Sequence, residues 1–201
     1  MTLEPLDAAR HGAQLHAELH DPRDPVLWDY LPHGPFPDGG EQWERWLEAV
    51  QTAPDMLTYA LVDARDGVAK GFGSYLRIDP PNGSIEIGNL AYGAAIQRTP
   101  ATTETTYLFA RHAFDELGYR RFEWKCNALN ARSMAAAERL GFTFEGIFRQ
   151  HWVVKGRNRD TAWFSILDGE WPALRAAFQA WLDPSNFDSG GRQLRSLGSL
   201  R

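Results

Sequence analysis

The chain has 201 residues, 43% hydrophobic and 12% aromatic, with a formal net charge of -5. That length and apolar content suit one domain with one sizeable core and a short tail, expected as residues 1–183 and 184–201. The acidic balance argues against a nucleic-acid binder, whose affinity rests on clustered Lys and Arg, and charge interrupts every apolar run well short of the roughly 20 residues a membrane span needs.

The opening Met1-Thr-Leu-Glu-Pro5 has no basic segment followed by an apolar one, so no leader is expected. A single cysteine, Cys126, cannot form an internal disulfide, and the expectation is a reducing, cytoplasmic location without membrane association.

Thr2 to Leu6 reads as a short strand, and Ala8 to Leu19 as a helix with apolar residues at helical spacing. His11, His16 and His20 lie five and four residues apart on drifting faces and are read as partly exposed side chains, not metal ligands. Residues 21–38 hold five prolines with Trp28, Tyr30 and Phe36 among them. Proline fixes the backbone and removes donors, so this is a stiff irregular loop. A helix from Gly40 to Val50 follows, its buried face marked by Trp43, Trp46, Leu47 and Val50.

Met56 to Asp63, Val68 to Ile78 and Ser84 to Tyr92 form an antiparallel meander, turned at Ala64–Gly67 and Pro80–Gly83. The pattern then becomes helix from Thr102 to Leu117, strand from Arg120 to Cys126, helix from Ala131 to Leu140, and strands Thr143 to Val154 and Arg159 to Leu167. Alternation of strand and helix implies a parallel portion in an otherwise antiparallel sheet, hence an α/β domain. A last helix, Glu170 to Leu182, precedes a Ser/Gly/Arg-rich end read as a flexible tail.

The stretch Lys125 to Phe142 is the most informative. Asn130 is a good N-cap, Ala131 to Leu140 favours helix, and Gly141 supplies the left-handed residue that ends it. Its Asn130-x-x-Ser133 start and Arg139-Leu-Gly-Phe142 close resemble the last cofactor-binding motif of the GCN5-related N-acetyltransferase (GNAT) superfamily. Gln97-Arg-Thr-Pro-Ala-Thr-Thr-Glu104 stands where that family places its pyrophosphate loop, and Arg157-Asn-Arg-Asp-Thr161 resembles the hairpin that follows. Order and spacing match from about Leu3 to Leu167, and the nearest branch resembles the ribosomal-protein N-terminal acetyltransferases (RimJ/RimL type).

The resemblance implies a mixed six- to seven-stranded sheet flanked by helices, with strands four and five splayed, and an acetyl-CoA-dependent transfer of acetyl to a primary amine. The acceptor is a small molecule or a protein N-terminus. It places the pyrophosphate on Gln97, Arg98, Thr99, Ala101, Thr102 and Thr103, where backbone N–H groups ahead of a helix favour negative charge. The chain departs from the family pattern here, because Pro100 replaces a glycine and removes a donor; a plain helix start explains the proline and threonines equally well.

The pantetheine arm falls to the backbones of Leu90 and Tyr92, and the thioester end to Asn130 and Ser133. Ser133 is the expected donor to the departing sulfur, since the position where many relatives carry a tyrosine acid is Ala137. An alkylamine is protonated at neutral pH, so a base is expected: Glu86 first, His151 second. The branch's own base glutamate aligns with Trp152 and does not transfer. Trp28, Tyr30, Phe36 and Arg149 are expected at the acceptor, with simple core packing the alternative for the aromatics. Arg157 and Asp160 gate substrate or merely brace a solvated hairpin. Two other classes stay open: a non-catalytic acyl-CoA sensor keeping the fold, and a homodimer paired through the aromatic loop.

Overall fold

The computed structural model describes residues 1–201. In chain order the elements are β1 (Thr2–Pro5), α1 (Ala8–Leu19), α2 (Gly40–Gln51), β2 (Met56–Val62), β3 (Ala69–Asp79), β4 (Ser84–Tyr92), α3 (Pro100–Arg111), β5 (Arg121–Asn127), α4 (Ala131–Leu140), β6 (Thr143–Val154), β7 (Arg157–Leu167) and α5 (Trp171–Leu182). The seven strands hydrogen-bond in the order β1-β2-β3-β4-β5-β7-β6, mostly antiparallel with β4 and β5 parallel. The chain gathers into two compact units, residues 1–78 with 86–105 and residues 79–85 with 106–201.

In the first unit Asp7 caps α1 by accepting from the Arg10 N–H at 3.0 Å. The helix buries Leu15 and Leu19 against Trp43, Leu47 and Val50 of α2, and the Trp43 indole N–H donates to Gly12 O at 3.0 Å. Each fully buried Leu contributes about 1.5–3 kcal/mol relative to exposure. His11, read as partly exposed, is 2% exposed, with its Nδ1 accepting from the Asp7 N–H. The helical period alone could not show this, because the burial comes from neighbouring elements.

Strands β1, β2 and β3 pair antiparallel, Glu4 opposite Ala60 and Ala60 opposite Phe72. Gly71 of β3 lets the neighbouring backbone close in: a Cβ there would lie 2.3 Å from Ala91 O of β4.

In the second unit β5 pairs antiparallel with β7, and β7 with β6. Strand alternation sends Phe122, Trp124 and Cys126 into the core, and Arg121, Glu123 and Lys125 to the opposite face. Phe142 packs on Phe122 and Trp124, and α5 buries Trp171, Leu174 and Phe178.

The helix expected over Thr102–Leu117 instead begins at Pro100, ends at Arg111 and continues as one π-helical turn, His112–Glu116. Proline at the first helical position explains the early start, since the missing N–H is unpaired there anyway. The β6–β7 turn runs through Lys155 and Gly156, both at positive φ, the geometry a two-residue hairpin requires.

Residues 184–201, the expected tail, are mostly exposed and contain local turns. Short 3-10 turns span Pro184–Asn186 and Leu197–Leu200, Leu197 is 2% exposed, and Asn186 bonds the carbonyls of Trp181 and Arg195. The turn at Leu197–Leu200 lies against α4 and α5.

Candidate active site

Strand β4 carries the first group of expected site residues. Glu86 is 3% exposed, and its carboxylate meets the Arg77 guanidinium at 2.5 Å. Gly88 makes room for that carboxylate, since a Cβ there would stand 3.0 Å from Glu86 Oε1 and 2.6 Å from Leu76 Cδ1. Proton transfer straight to Glu86 therefore competes with an arginine already bound to it. Asn89 takes a positive φ of 48, and its amide reaches Ser74 Oγ at 3.4 Å, which in turn bonds Thr58 Oγ1 at 2.7 Å. This left-handed residue lies within β4 just before Leu90 and Tyr92, both half-buried.

The turn before α3 is knitted to itself. Gln97 is expected to face pyrophosphate, yet its amide donates to Asp24 at 2.7 Å and to Tyr92 O at 2.8 Å, tying the Pro-rich loop to the end of β4. Thr99 Oγ1 donates to Ile96 O and accepts from the Ala101 N–H, capping the helix, and Thr102 Oγ1 donates to Thr99 O. Thr103 is fully buried. Arg98 is exposed at positive φ, so among the side chains expected here it presents the most accessible charge.

The aromatic loop divides. Trp28, expected at the acceptor, is 4% exposed; its indole N–H donates to Leu19 O at 3.0 Å, and its ring stacks on His20. Phe36 is half-buried over Trp46, its N–H donating to His20 Nε2 and its carbonyl accepting from His16 Nε2. Burial keeps His20 below the usual histidine pKa, an effect its bond to the His16 carbonyl opposes. Tyr30, in contrast, is 38% exposed.

In the second unit Asn130 caps α4, its Oδ1 accepting from the Ser133 N–H at 3.1 Å. The Ser133 hydroxyl oxygen accepts from the Trp124 indole N–H at 3.0 Å. Burial pushes the Cys126 thiol above its ordinary pKa. Lys125, its neighbour in sequence, lies on the other face, paired with Glu123 at 2.7 Å and 3.6 Å from the centre of the Trp163 ring. Iodoacetamide at about pH 8 is therefore expected to alkylate Cys126 slowly in the folded protein and rapidly in denaturant. Fast alkylation of the native chain would show an accessible thiolate instead.

Arg149 and His151 stand in a bulge of β6 between the pairs Phe148–Thr161 and Trp152–Arg159. Gln150 takes a positive φ, and its N–H donates to Asp160 Oδ1 at 2.7 Å. Asp160 thus braces the bulge, and that N–H together with Asn158 holds its carboxyl below the usual range. His151 Nδ1 lies 3.0 Å from Thr161 Oγ1 with its ring stacked on Trp152. Two shallow surface hollows, one lined by Pro80, Asn82 and Arg120 and the other by Asp7, Arg45 and Glu48, include none of the expected site residues.

Arg77, Asn89, Asp24 and Trp124 were not singled out by sequence. Each meets a partner on another element or loop, and no local pattern marks such a pair.

The family model described as the acetyltransferase (GNAT) domain matches residues 1–143. The chain belongs to the GNAT acetyltransferase family. A GCN5-related N-acetyltransferase from Brucella melitensis is 50% identical with a TM-score of 0.95, covering 98% of this GNAT chain and 89% of its own. A probable GNAT acetyltransferase from Chromobacterium violaceum is 45% identical over 85% of this chain and 84% of its own, with a TM-score of 0.77. The spermidine N-acetyltransferase from Vibrio cholerae, solved with CoA and spermine, is 18% identical with a TM-score of 0.65 over 85% of this chain and 97% of its own, and shares the GNAT fold. A search of curated proteins finds no match. GNAT enzymes use acetyl-CoA as acetyl donor and amines as acceptors. No helix of this GNAT chain is long and apolar enough to cross a membrane.

Proposed function

We propose that this protein is an acetyl-CoA-dependent N-acetyltransferase of the RimJ/RimL type, in which a bound primary amine attacks the thioester directly. The observation that carries the reading is the start of α4 in a chain of this family: Asn130 is spent on the helix cap while the Ser133 hydroxyl is oriented by Trp124. The donor set fits a coenzyme A thioester. Arg98 and the start of α3 offer positive charge to a diphosphate, and the end of β4 at Leu90 and Tyr92, past the left-handed Asn89, is the segment assigned to the pantetheine arm.

In the reaction the amine nitrogen bonds to the acetyl carbon and the C–S bond breaks. The sulfur leaves with the bonding pair, and the proton lost from nitrogen balances its charge. Positioning supplies most of the rate, and His151 or a water bridging to Glu86 takes the amine proton. The acceptor is a small amine or a protein N-terminus, and the unpaired thiol suits a reducing cytoplasm.

A second reading, a non-catalytic acyl-CoA sensor, is favoured by the arginine on Glu86 and by Ala137 in place of an acid. Calorimetric titration with acetyl-CoA should show saturable binding, and incubation with an amine panel should release free CoA thiol. Ser133→Ala is expected to lower kcat by about 100-fold with acetyl-CoA affinity held. Binding without thiol release selects the sensor, and no heat of binding removes both readings.

A further inference from the structure

Trp124 lies in the middle of β5, 6% exposed, and its ring packs at 5.5 Å against Phe142, the residue that closes α4. An indole N–H can only donate, so at 3.0 Å it takes one lone pair of Ser133 Oγ and forces the hydroxyl oxygen into the role of acceptor. Asn130 caps α4 by accepting the Ser133 N–H, and the Asn130 N–H itself donates to Asn127 O, so the serine hydroxyl takes no part in the cap. Its hydrogen is thereby left to point away from the indole. Cys126, two residues from Trp124 on the same buried face of β5, is a thiol and thus only a weak acceptor for that hydrogen. A weak acceptor gives up the hydrogen easily to a stronger one.

We propose that Trp124 is a positioning residue for acetyl transfer: its buried N–H holds Ser133 so that the hydroxyl hydrogen is donated to the sulfur of the coenzyme A thioester as that sulfur departs. This rests on the reading of Ser133 given above and goes beyond it by naming the group that aims it. When the C–N bond forms and the C–S bond breaks, negative charge collects on sulfur. The hydroxyl donates a hydrogen bond to that charge, and the indole N–H keeps the serine oxygen from turning its lone pair to the sulfur. Trp124 touches neither reactant and acts only through Ser133.

The test compares wild type, Trp124→Phe, Ser133→Ala and the double variant, each confirmed folded by circular dichroism. For acetyl-CoA with an accepted amine, Trp124→Phe should lower kcat about tenfold with KM for acetyl-CoA unchanged, and the double variant should fall no further than Ser133→Ala. A purely structural role would lower both backgrounds equally, so additive losses overturn the proposal. An acceptor-free measurement covers the remaining cases: the thiol of CoA bound to the protein is titrated by its thiolate absorbance, less the same titration without CoA. Ser133→Ala should raise the pKa of the bound thiol, and Trp124→Phe should raise it part of the way.

Where Trp124→Phe does not fold, indole N–H resonances of the eight tryptophans decide. One should exchange faster in Ser133→Ala and shift in wild type when CoA is added. No shift on adding CoA overturns the proposal. If Ser133→Ala alters neither kcat nor the bound thiol, the reading of Ser133 itself has failed; if it alters them and Trp124→Phe does not, only the role of Trp124 has.

Discussion

Trp28→Ala is expected to cost about 3–5 kcal/mol of stability, the usual range for removing a large buried aromatic side chain. In a chain of this length that corresponds to a melting temperature lower by roughly 6–20 °C. The reason is geometric. Trp28 is 4% exposed, gives its indole N–H to Leu19 O, stacks on His20 and meets Phe36, Trp43 and Trp46 edge-on. Gly34 completes the fit, since a Cβ there would come within 2.4 Å of the Trp28 ring. Truncation leaves a cavity under the Pro-rich loop and an unpaired carbonyl at the end of α1.

Tyr30→Ala, two residues on and 38% exposed, is expected to shift stability by about 0.5 kcal/mol or less. Thermal denaturation of the pair separates the two aromatics. Equal, small losses would mean that the loop is not part of the core. The same experiment bears on the dimer alternative, because a buried Trp28 cannot serve as a contact between copies of the folded chain.

Gly71→Ala should be the most damaging single methyl in the chain for cofactor binding. Its Cβ would sit 2.3 Å from Ala91 O and 3.3 Å from Tyr92 Cα, and backbone cannot swing aside as a flexible side chain can. The strands must separate locally, at about 1–3 kcal/mol or more. The displaced residues adjoin Leu90 and Tyr92, to which the pantetheine arm is assigned, so acetyl-CoA affinity should drop together with stability. Gly169→Ala is the matched control: nothing lies within 4 Å of its added methyl, and both quantities should hold. Retained acetyl-CoA affinity in a folded Gly71→Ala protein would remove the end of β4 from the binding site.

The arginine on Glu86 shows where inference along the chain stops. A glutamate on a strand between Ile85 and Ile87 invites a catalytic reading because isolated buried carboxylates are rare. The ion pair with Arg77 supplies an ordinary alternative, and Arg77 stands nine residues away on the preceding strand. Gln97 is a similar case. Its position in the motif suggested a ligand contact, whereas its amide is engaged with Asp24, 73 residues earlier in the chain.

Elements whose signals are local were legible from residue order. Helices α1 and α4 and strands β4 and β6 have the expected limits, because Asp7 and Asn130 as caps, Gly141 as a left-handed stop and the periodicity of apolar residues all act within a few positions. The Asn130 and Ser133 spacing was legible for the same reason. Three things were not: the burial of His11, the arginine on Glu86 and the indole bonded to Ser133; for Trp28 residue order left core packing and an acceptor contact both open. Each depends on which distant side chain arrives opposite, a choice made when strands register and helices pack. Local chemistry determined the elements and the family motif; only the tertiary structure decided which distant side chain meets each of these polar groups, because that depends on how strands register and helices pack.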